Sequence, residues 1–404
     1  MAVRGSLQRA MVGSPLRRPL YGCLFSVGML VLIGLAFLGH LGIWILEPLP
    51  AIGMFAATFV LATIASLPAV LVLRILDRRE RESLWLFVGA ILWGAVISTG
   101  VSGVFNFLGL GFITVGLDIL AGVQSDMLPD ILTAALVAPV VEEAAKGIGL
   151  LILLFFLHAE LDNVRDGIIY GGLVGLGFNI AEVALYVMKG YIDSGVAPFG
   201  EQFAARFVFL GFNGHLLWAA LCGAGVGLAR QTRSGCLRWA APVAGYVVAV
   251  LGHALNNSVG VFVIGLALIA MGYDLAANPA VPALAMWIAA VIMNVLVEGF
   301  AYLLLLTFLF LSAQWERVVI RTYLSDEVGT PTVTPQEYAE IARDRPFTWT
   351  QRLRNTDGRH ARAIINAQNE LAFRKWHLDR ESGDPNADPL VAAWRADIEQ
   401  LRQA

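Results

Sequence analysis

The chain has 404 residues, of which 57% are hydrophobic and only 15% are charged, and its formal net charge is −3. Charged residues make up about a quarter of an ordinary soluble protein, so this composition excludes a soluble globular fold and indicates an integral membrane protein. The small net charge predicts no nucleic-acid partner. The three cysteines are too few and too widely spaced for a disulfide framework or a metal-ligand pattern: Cys23, Cys222 and Cys236.

Eight apolar runs are long enough to cross a hydrocarbon layer of about 30 Å at about 1.5 Å per helical residue. They lie near residues 20–46, 51–73, 84–108, 130–157, 167–189, 203–229, 239–260 and 283–312. Apolar sequence continues beyond the seventh run as a tilted extension or a re-entrant turn. The sequence therefore predicts an all-α fold, a polytopic membrane helix bundle of about eight transmembrane helices.

Basic residues flank every second connection between these runs, and such residues accumulate on the cytoplasmic side of a membrane. They are Arg4, Arg9, Arg17, Arg18, Arg74, Arg78, Arg79, Arg81, Arg165, Arg230, Arg233, Arg238, Arg317 and Arg321. This pattern predicts that both termini are cytoplasmic. The first apolar run is long and has no clear small-residue cleavage site, so it is expected to be a retained helix and not a signal peptide.

The composition changes along the chain from basic to apolar and then to a soluble pattern, and these changes predict three domains. Residues 1–19 are predicted to be a basic cytosolic N-terminus, and residues 20–314 a transmembrane helical core with its polar motifs in 130–260. Residues 315–404 have a soluble pattern and are predicted to be a small helical cytosolic region.

Helix-start signals support the prediction for the C-terminal region. Thr334 and Glu337 have the spacing of a capping box, and Asp388 before Pro389 is typical of an N-cap followed by the first helical residue. A third helix is expected over "RHARAIINAQNELAFRKWHLDRES". No motif in this region carries chemistry.

Three ionisable residues interrupt the apolar stretch "APVVEEAAKGIGLL": Glu142, Glu143 and Lys146. Their spacing allows the lysine to pair with either glutamate on one helix face, which leaves one acid over. An ionisable group at membrane depth costs several kcal/mol unless it is paired, hydrated or functional. One alternative is an ion pair that only locks helix packing. Pro139 cannot donate to the carbonyl of Ala135, so it is expected to loosen the helix one turn before the acids.

Polar residues also occur in the next three apolar runs. Glu182 follows Phe178 by one turn, His215 lies in "GFNGHLLWAALCGAGVG", and His253 and Asn257 are one turn apart. Counted from the expected outer ends, the acids and histidines lie about 10 to 20 Å deep. Each histidine alone could be a core residue bonded to a neighbouring helix. Together these groups predict one polar, hydrated site.

Two kinds of chemistry suit this set of side chains. A carboxylate that takes a proton from water, beside a histidine that orients the water or donates to an oxyanion, can hydrolyse an acyl bond. Alternatively, His215, His253 and Glu182 could form an open zinc shell, with Glu142 or Glu143 as the base. The residues alone leave both possibilities open, so the cofactor is zinc or none.

These motifs resemble those of the PrsW family of intramembrane proteases, which is related to the CAAX-processing and bacteriocin-processing membrane proteases. The match consists of E-E-x-x-K at Glu142, G-F-x-x-x-E ending at Glu182, the isolated His215, and H-x-x-x-N at His253. It spans roughly residues 130–260, in order and each motif on its own helix. Val183 stands where many members have asparagine, which removes a hydrogen-bonding group.

The resemblance implies peptide-bond hydrolysis in or next to a bacterial membrane, by a glutamate-dependent or metal-dependent route. The expected partners are the lipid bilayer and a membrane-anchored protein substrate, such as an anti-sigma factor. The family's relatives favour Glu142 as the residue that activates water, while Glu143 and Lys146 hold the helix and tune its charge. Glu182 would orient water or bind a metal. The histidines would ligate or donate, and Asn257 would complete the pocket.

Two other classes of function remain open at this stage. A proton- or ion-coupled transporter also buries Glu, Lys and His, although the sequence shows no internal repeat that would support one. A membrane scaffold would act through residues 315–404. Glu298, alone in the last apolar run, is expected to make a structural hydrogen bond.

Overall fold

The computed structural model describes residues 14–79, 82–122, 127–157, 160–275, 281–343, 353 and 358–403. These residues form helices joined by short connections, and no β-strand occurs among them. The predicted all-α membrane bundle is therefore confirmed. Most of the predicted basic N-terminus, residues 1–13, lies outside the described residues.

Thirteen helices follow one another in the described parts of the chain. The first five are α1 (Pro19–Leu46), α2 (Leu49–Leu76), α3 (Leu84–Leu92, Trp93–Ser98 and Thr99–Ala121), α4 (Leu128–Leu132, Thr133–Val137 and Ala138–Phe156) and α5 (Val164–Ser194). Then come α6 (Phe199–Arg206), α7 (His215–Gln231), α8 (Gly235–Leu255, Asn256–Gly260 and Val261–Ala270), α9 (Ala283–Val297) and α10 (Gly299–Leu324). The last three are α11 (Pro335–Ala342), α12 (Gly358–Glu381) and α13 (Pro389–Gln403).

Seven of the described helices are long and apolar enough to cross a membrane, compared with about eight expected. Helix α4 is outside this set, and it carries Glu142, Glu143 and Lys146 near its centre. The run predicted as one helix over 283–312 is instead two helices, because α9 ends at Val297 and α10 begins at Gly299. Glu298 lies at this break.

The chain divides into two compact units. The membrane unit contains residues 13–75 and 84–306, and the C-terminal unit contains residues 76–83 and 307–404. In the C-terminal unit the capping box at Thr334 is present, with Glu337 accepting from the Thr334 amide. Asp388 accepts from the amides of Leu390 and Val391, so its predicted N-cap is also confirmed.

Helices α5 and α7 approach each other more closely than side chains would allow. A Cβ built on Gly171 would lie 2.1 Å from the Ala219 carbonyl oxygen, and one on Gly175 would lie 2.2 Å from that of His215. On α7, a Cβ on Gly223 would lie 1.9 Å from the carbonyl oxygen of Gly167. Glycines at these positions therefore let the two backbones touch, which brings α5 directly against the first residue of α7.

Candidate active site

Helix α4 is irregular one turn before its paired acids. Residues Thr133–Val137 form a π-helical turn, and Pro139 follows it. The side chain of Asn257 donates from Nδ2 to the carbonyl oxygen of Ala134 at 2.9 Å. Backbone groups inside a membrane need internal partners. Asn257 therefore supplies one within this turn, and the loosening expected at Pro139 is confirmed.

Glu143 is the fully buried acid of the pair, with 0% of its surface exposed. Its Oε1 accepts hydrogen bonds from Lys146 Nζ at 2.6 Å and from His253 Nδ1 at 3.0 Å. Carboxylate oxygens of this ion pair can only accept, so the proton of His253 is assigned to Nδ1. A buried carboxylate is tolerated when such partners surround it. These contacts hold α4 and α8 together.

His215 connects this ion pair to a second acid. Lys146 Nζ lies 2.8 Å from His215 Nδ1, and an ammonium group can only donate, so Nδ1 accepts. The proton of the neutral ring is then on Nε2, which donates to Glu182 Oε2 at 2.9 Å. Arg206 Nε donates to the same carboxylate oxygen at 3.3 Å. The ring of His215 is therefore held at both nitrogens.

Glu142 has fewer partners than Glu143, although Oε2 of each acid receives no hydrogen bond from the described residues. Its Oε1 accepts from Asn106 Nδ2 at 3.1 Å. Its Oε2 is buried and receives no hydrogen bond from the part of the chain that the structure describes. His253 Nε2 lies 3.9 Å from that oxygen, and it is unprotonated in the neutral tautomer assigned above. One carboxylate oxygen is therefore free to accept a proton.

Two cavities in the membrane unit reach this cluster. The larger is about 570 Å³ and is bordered by Glu142, Glu182 and His215. The smaller is about 280 Å³ and is bordered by Glu142, Glu182 and Phe178. A water molecule takes up roughly 30 Å³ in the liquid, so the larger cavity has room for water and a stretch of peptide. Glu143 borders neither cavity.

Aromatic side chains fix the two imidazole rings. The Trp218 ring stacks on His253 with centroids 4.3 Å apart and an interplanar angle of 15°. The Phe178 ring lies 4.6 Å from His215, and Lys146 Nζ lies 4.1 Å from the centroid of the same Phe178 ring. Such contacts restrict ring rotation and hold the Lys146 amino group over the face of the Phe178 ring.

Most of the residues singled out from the sequence meet in one place. Hydrogen bonds of the membrane unit connect Glu143, Lys146, Glu182, His215 and His253, and Glu142 Oε2 lies 3.9 Å from His253 Nε2. Asn257 is apart from this network in its bond to Ala134, although it borders the larger cavity.

One group of three side chains in the described residues has the arrangement of metal ligands. Glu142, His215 and His253 each offer a ligand atom, and these atoms lie within 4.8 Å of one another. Two imidazoles and a carboxylate are the shell of an open catalytic zinc site. The zinc shell expected from the sequence had Glu182 as its carboxylate, whereas here that position belongs to Glu142.

The hydrogen bonds around this group test its fit to a metal. Glu142 has its open Oε2, and His253 presents Nε2 while its Nδ1 donates to Glu143, which is the usual support of a metal-bound histidine. The contact that opposes a metal is Lys146 on His215 Nδ1. If Nε2 of His215 were the ligand atom, the ring proton would be on Nδ1, where Lys146 also donates. The donor set therefore fits a zinc ion only when Lys146 no longer contacts His215.

Sequence analysis missed three residues of the site. Asn106 was a lone carboxamide in a predicted span, which is a signal of the same kind as Asn257. Trp218 follows His215 by three residues and so shares its helix face. Arg206 lies on the short helix α6, which hydropathy did not predict, and from there it donates to Glu182.

The fold and the site define a polytopic helical membrane protein with an acid and histidine cluster buried beside open cavities. The family model of the PrsW family intramembrane metalloprotease matches residues 82–297, more than half of the chain. The chain belongs to the PrsW family and is a membrane peptidase. No curated protein and no solved structure matches it.

Proposed function

We propose that this protein hydrolyses a peptide bond of a membrane-anchored protein in the larger cavity, with Glu142 as the base that activates water. The observation that carries the proposal is the open Oε2 of Glu142, on a carboxyl group that borders the cavity. Glu143 is a poorer base because its Oε1 already accepts from Lys146 and His253 and because it borders neither cavity. The arrangement supports the roles that the related proteases suggested.

The reaction needs a group that carries a proton and hydrogen-bond donors that stabilise the negative charge on the former carbonyl oxygen. Glu142 takes a proton from water as the water oxygen bonds to the peptide carbon and the carbonyl electrons move to oxygen. The C–N bond then breaks, and Glu142 returns the proton to the leaving nitrogen. His215 Nε2–H and the Arg206 guanidinium, both at the cavity, are the donors placed to stabilise the negative oxygen.

Glu182 and Glu143 orient the two histidines. Glu182 accepts from His215 and Arg206, so these donors are held at the cavity when no substrate is present. Glu143 fixes His253 so that its bare nitrogen faces Glu142. Positioned donors and acceptors need no rearrangement during reaction, which is the main source of catalytic electrostatic stabilisation.

A metal would be held by Glu142, His215 and His253. When bound, zinc supplies a water of lowered pKa and polarises the carbonyl. In that form the other carboxylates on the cavity are Asp130, Glu182 and Glu298, and Glu182 is the one bonded to His215.

The substrate class follows from the location of the site. Peptide bonds in a membrane helix are shielded by their hydrogen bonds, so a substrate must unwind locally before attack. We propose a membrane-anchored regulator as substrate, a bacterial plasma membrane as the location, and cytoplasmic termini, in agreement with the basic connections.

The experiment that tests the proposal is Glu142→Gln. The amide keeps the bond from Asn106 but cannot take a proton. We expect cleavage of membrane-anchored reporter proteins in proteoliposomes to fall roughly 10²- to 10⁴-fold, as is typical when a general base is lost, while the thermal midpoint in detergent stays close to that of the wild type.

Measuring zinc in the same two proteins separates the possible roles of Glu142. Equal zinc content with lost activity supports a base, and loss of both supports a ligand. Cleavage at the wild-type rate by Glu142→Gln would refute the proposed site.

A further inference from the structure

Glu298 is an acid at the cavity that the proposed reaction does not use. It lies at the break between α9 and α10, is 3% exposed, and borders the larger cavity. Its Oε2 accepts from the Gly214 amide at 3.3 Å and from the Tyr302 hydroxyl at 3.5 Å. Its Oε1 is buried and accepts no hydrogen bond from any residue in the described ranges. Half of this carboxyl group is therefore without a partner.

Asn213 has a second buried acceptor without a donor among the described residues. The Nδ2 of Asn213 donates to the Ala205 carbonyl oxygen at 3.2 Å, which fixes the orientation of the amide. Its Oδ1 is buried and has no donor among the residues that the structure describes, and the side chain borders the same cavity. Asn213 precedes Gly214, whose amide is bonded to Glu298. The two side chains thus line one cavity and are connected through Gly214.

A pair of open acceptors, one of them on an acid, recognises a donor that carries positive charge. A buried polar atom without a partner costs about 1 to 3 kcal/mol, and a buried acid is most stable with a counter-charge. A lysine or arginine side chain has the donors that two such oxygens need, because each cation has several donors and no acceptor.

We propose that Glu298 and Asn213 form a subsite that binds a basic side chain of the substrate near the scissile bond. This inference rests on the proposed function. The subsite is close to the reacting groups, because Gly214, which is bonded to Glu298, is followed directly by His215. Gly214 has φ +55°, a conformation that side chains rarely adopt, so a larger residue at this link would be strained.

The test uses synthetic transmembrane peptides in proteoliposomes with the full-length protein. Each peptide carries one lysine, moved one position at a time, and is paired with a peptide that has norleucine at that position. The wild type should cleave the lysine peptide at least about tenfold faster than the norleucine peptide at one register, as expected for a buried charge pair. Mass spectrometry identifies the bond.

Two variants change the charge of the subsite in opposite directions. Glu298→Gln keeps an acceptor for Gly214 but removes the charge, and the lysine preference should disappear. Asn213→Asp adds a charge, and the preference should increase. Arginine peptides should behave like lysine peptides.

The outcomes separate this inference from the proposed function. The proposed function is contradicted if the wild type cleaves none of the peptides. It is also contradicted if Glu142→Gln cleaves them at the same rate as the wild type. Cleavage that needs Glu142 but has the same lysine preference in wild type and Glu298→Gln overturns the subsite alone. An equal loss on lysine and norleucine peptides in Glu298→Gln also overturns it, since that result would mean that Glu298 only holds Gly214.

Discussion

The two units of the molecule differ in how completely the hydrogen-bonding capacity of their buried acids is used. In the C-terminal unit, Glu327 is 3% exposed and both of its oxygens accept hydrogen bonds, from Lys375 at 3.0 Å and from Arg395 at 2.6 and 3.3 Å. In the membrane unit, Glu142 is nearly as buried, yet one of its oxygens has no donor among the described residues. Only the second acid borders a cavity of about 570 Å³.

The difference gives a criterion that distinguishes a buried charge with a structural role from one with a catalytic role: the number of hydrogen bonds it accepts and whether it borders a cavity. A saturated ion pair stabilises its surroundings and has no capacity left for a substrate. An open acceptor next to space is costly for the fold and is retained where chemistry needs it. Glu143 is intermediate: its Oε2 has no donor among the described residues, but its Oε1 accepts from Lys146 and His253 and it borders neither cavity.

The largest expected effect on stability is that of Glu143→Gln. The substitution leaves the Lys146 ammonium buried without a counter-ion, which costs about 3 to 5 kcal/mol. We expect a clear fall in the thermal midpoint in detergent, larger than that of Glu142→Gln. The double variant Glu143→Gln/Lys146→Met removes both charges and should recover most of the loss. An unchanged midpoint in the single variant would mean that Glu143 is not a structural charge.

Gly175→Ala tests whether helix contact holds the open cluster in place. The added Cβ would lie 2.2 Å from the carbonyl oxygen of His215, so α5 and α7 must separate. We expect a loss of about 2 to 3 kcal/mol, at the upper part of the range for overpacking, together with reduced cleavage. Gly34→Ala is the matched control, because nothing lies within 4 Å of its added Cβ. Equal behaviour of the two variants would contradict the close approach.

Glu327→Gln tests the saturated pair in the C-terminal unit. Lys375 retains Asp326 at 2.6 Å and Arg395 is partly exposed, so the expected loss is about 1 to 2 kcal/mol. Hydrogen exchange of α12 should show the destabilisation, while reporter cleavage should remain within twofold of the wild type. A large drop in cleavage with normal exchange would show that this cluster acts in function.

The sequence was sufficient to predict the class of fold and to predict that the acids and histidines lie in one site. A charged or imidazole side chain deep in an apolar helix needs a partner, so several at one depth predict a shared site. Sequence spacing could not separate the roles of Glu142 and Glu143, since adjacent helix residues point about 100° apart and the direction of the cavity is a tertiary property. The break at Glu298 was missed because both sides of it are apolar.

The substitution Asp388→Asn is expected to have the smallest effect on stability, and this effect should depend on pH. Partial burial opposes its charge, but hydrogen bonds from Arg374 and from the Val391 and Leu390 amides outweigh it and lower the pKa of Asp388 below its ordinary 3.8. A lowered folded-state pKa adds stability that is complete above the ordinary value and is lost as the pH falls through the folded-state value. Asp388→Asn should therefore cost up to about 1 kcal/mol at neutral pH, a typical size for an N-cap. The difference from wild type in exchange of α13 should disappear in acid, and a difference that persists there would assign the effect to packing instead of charge.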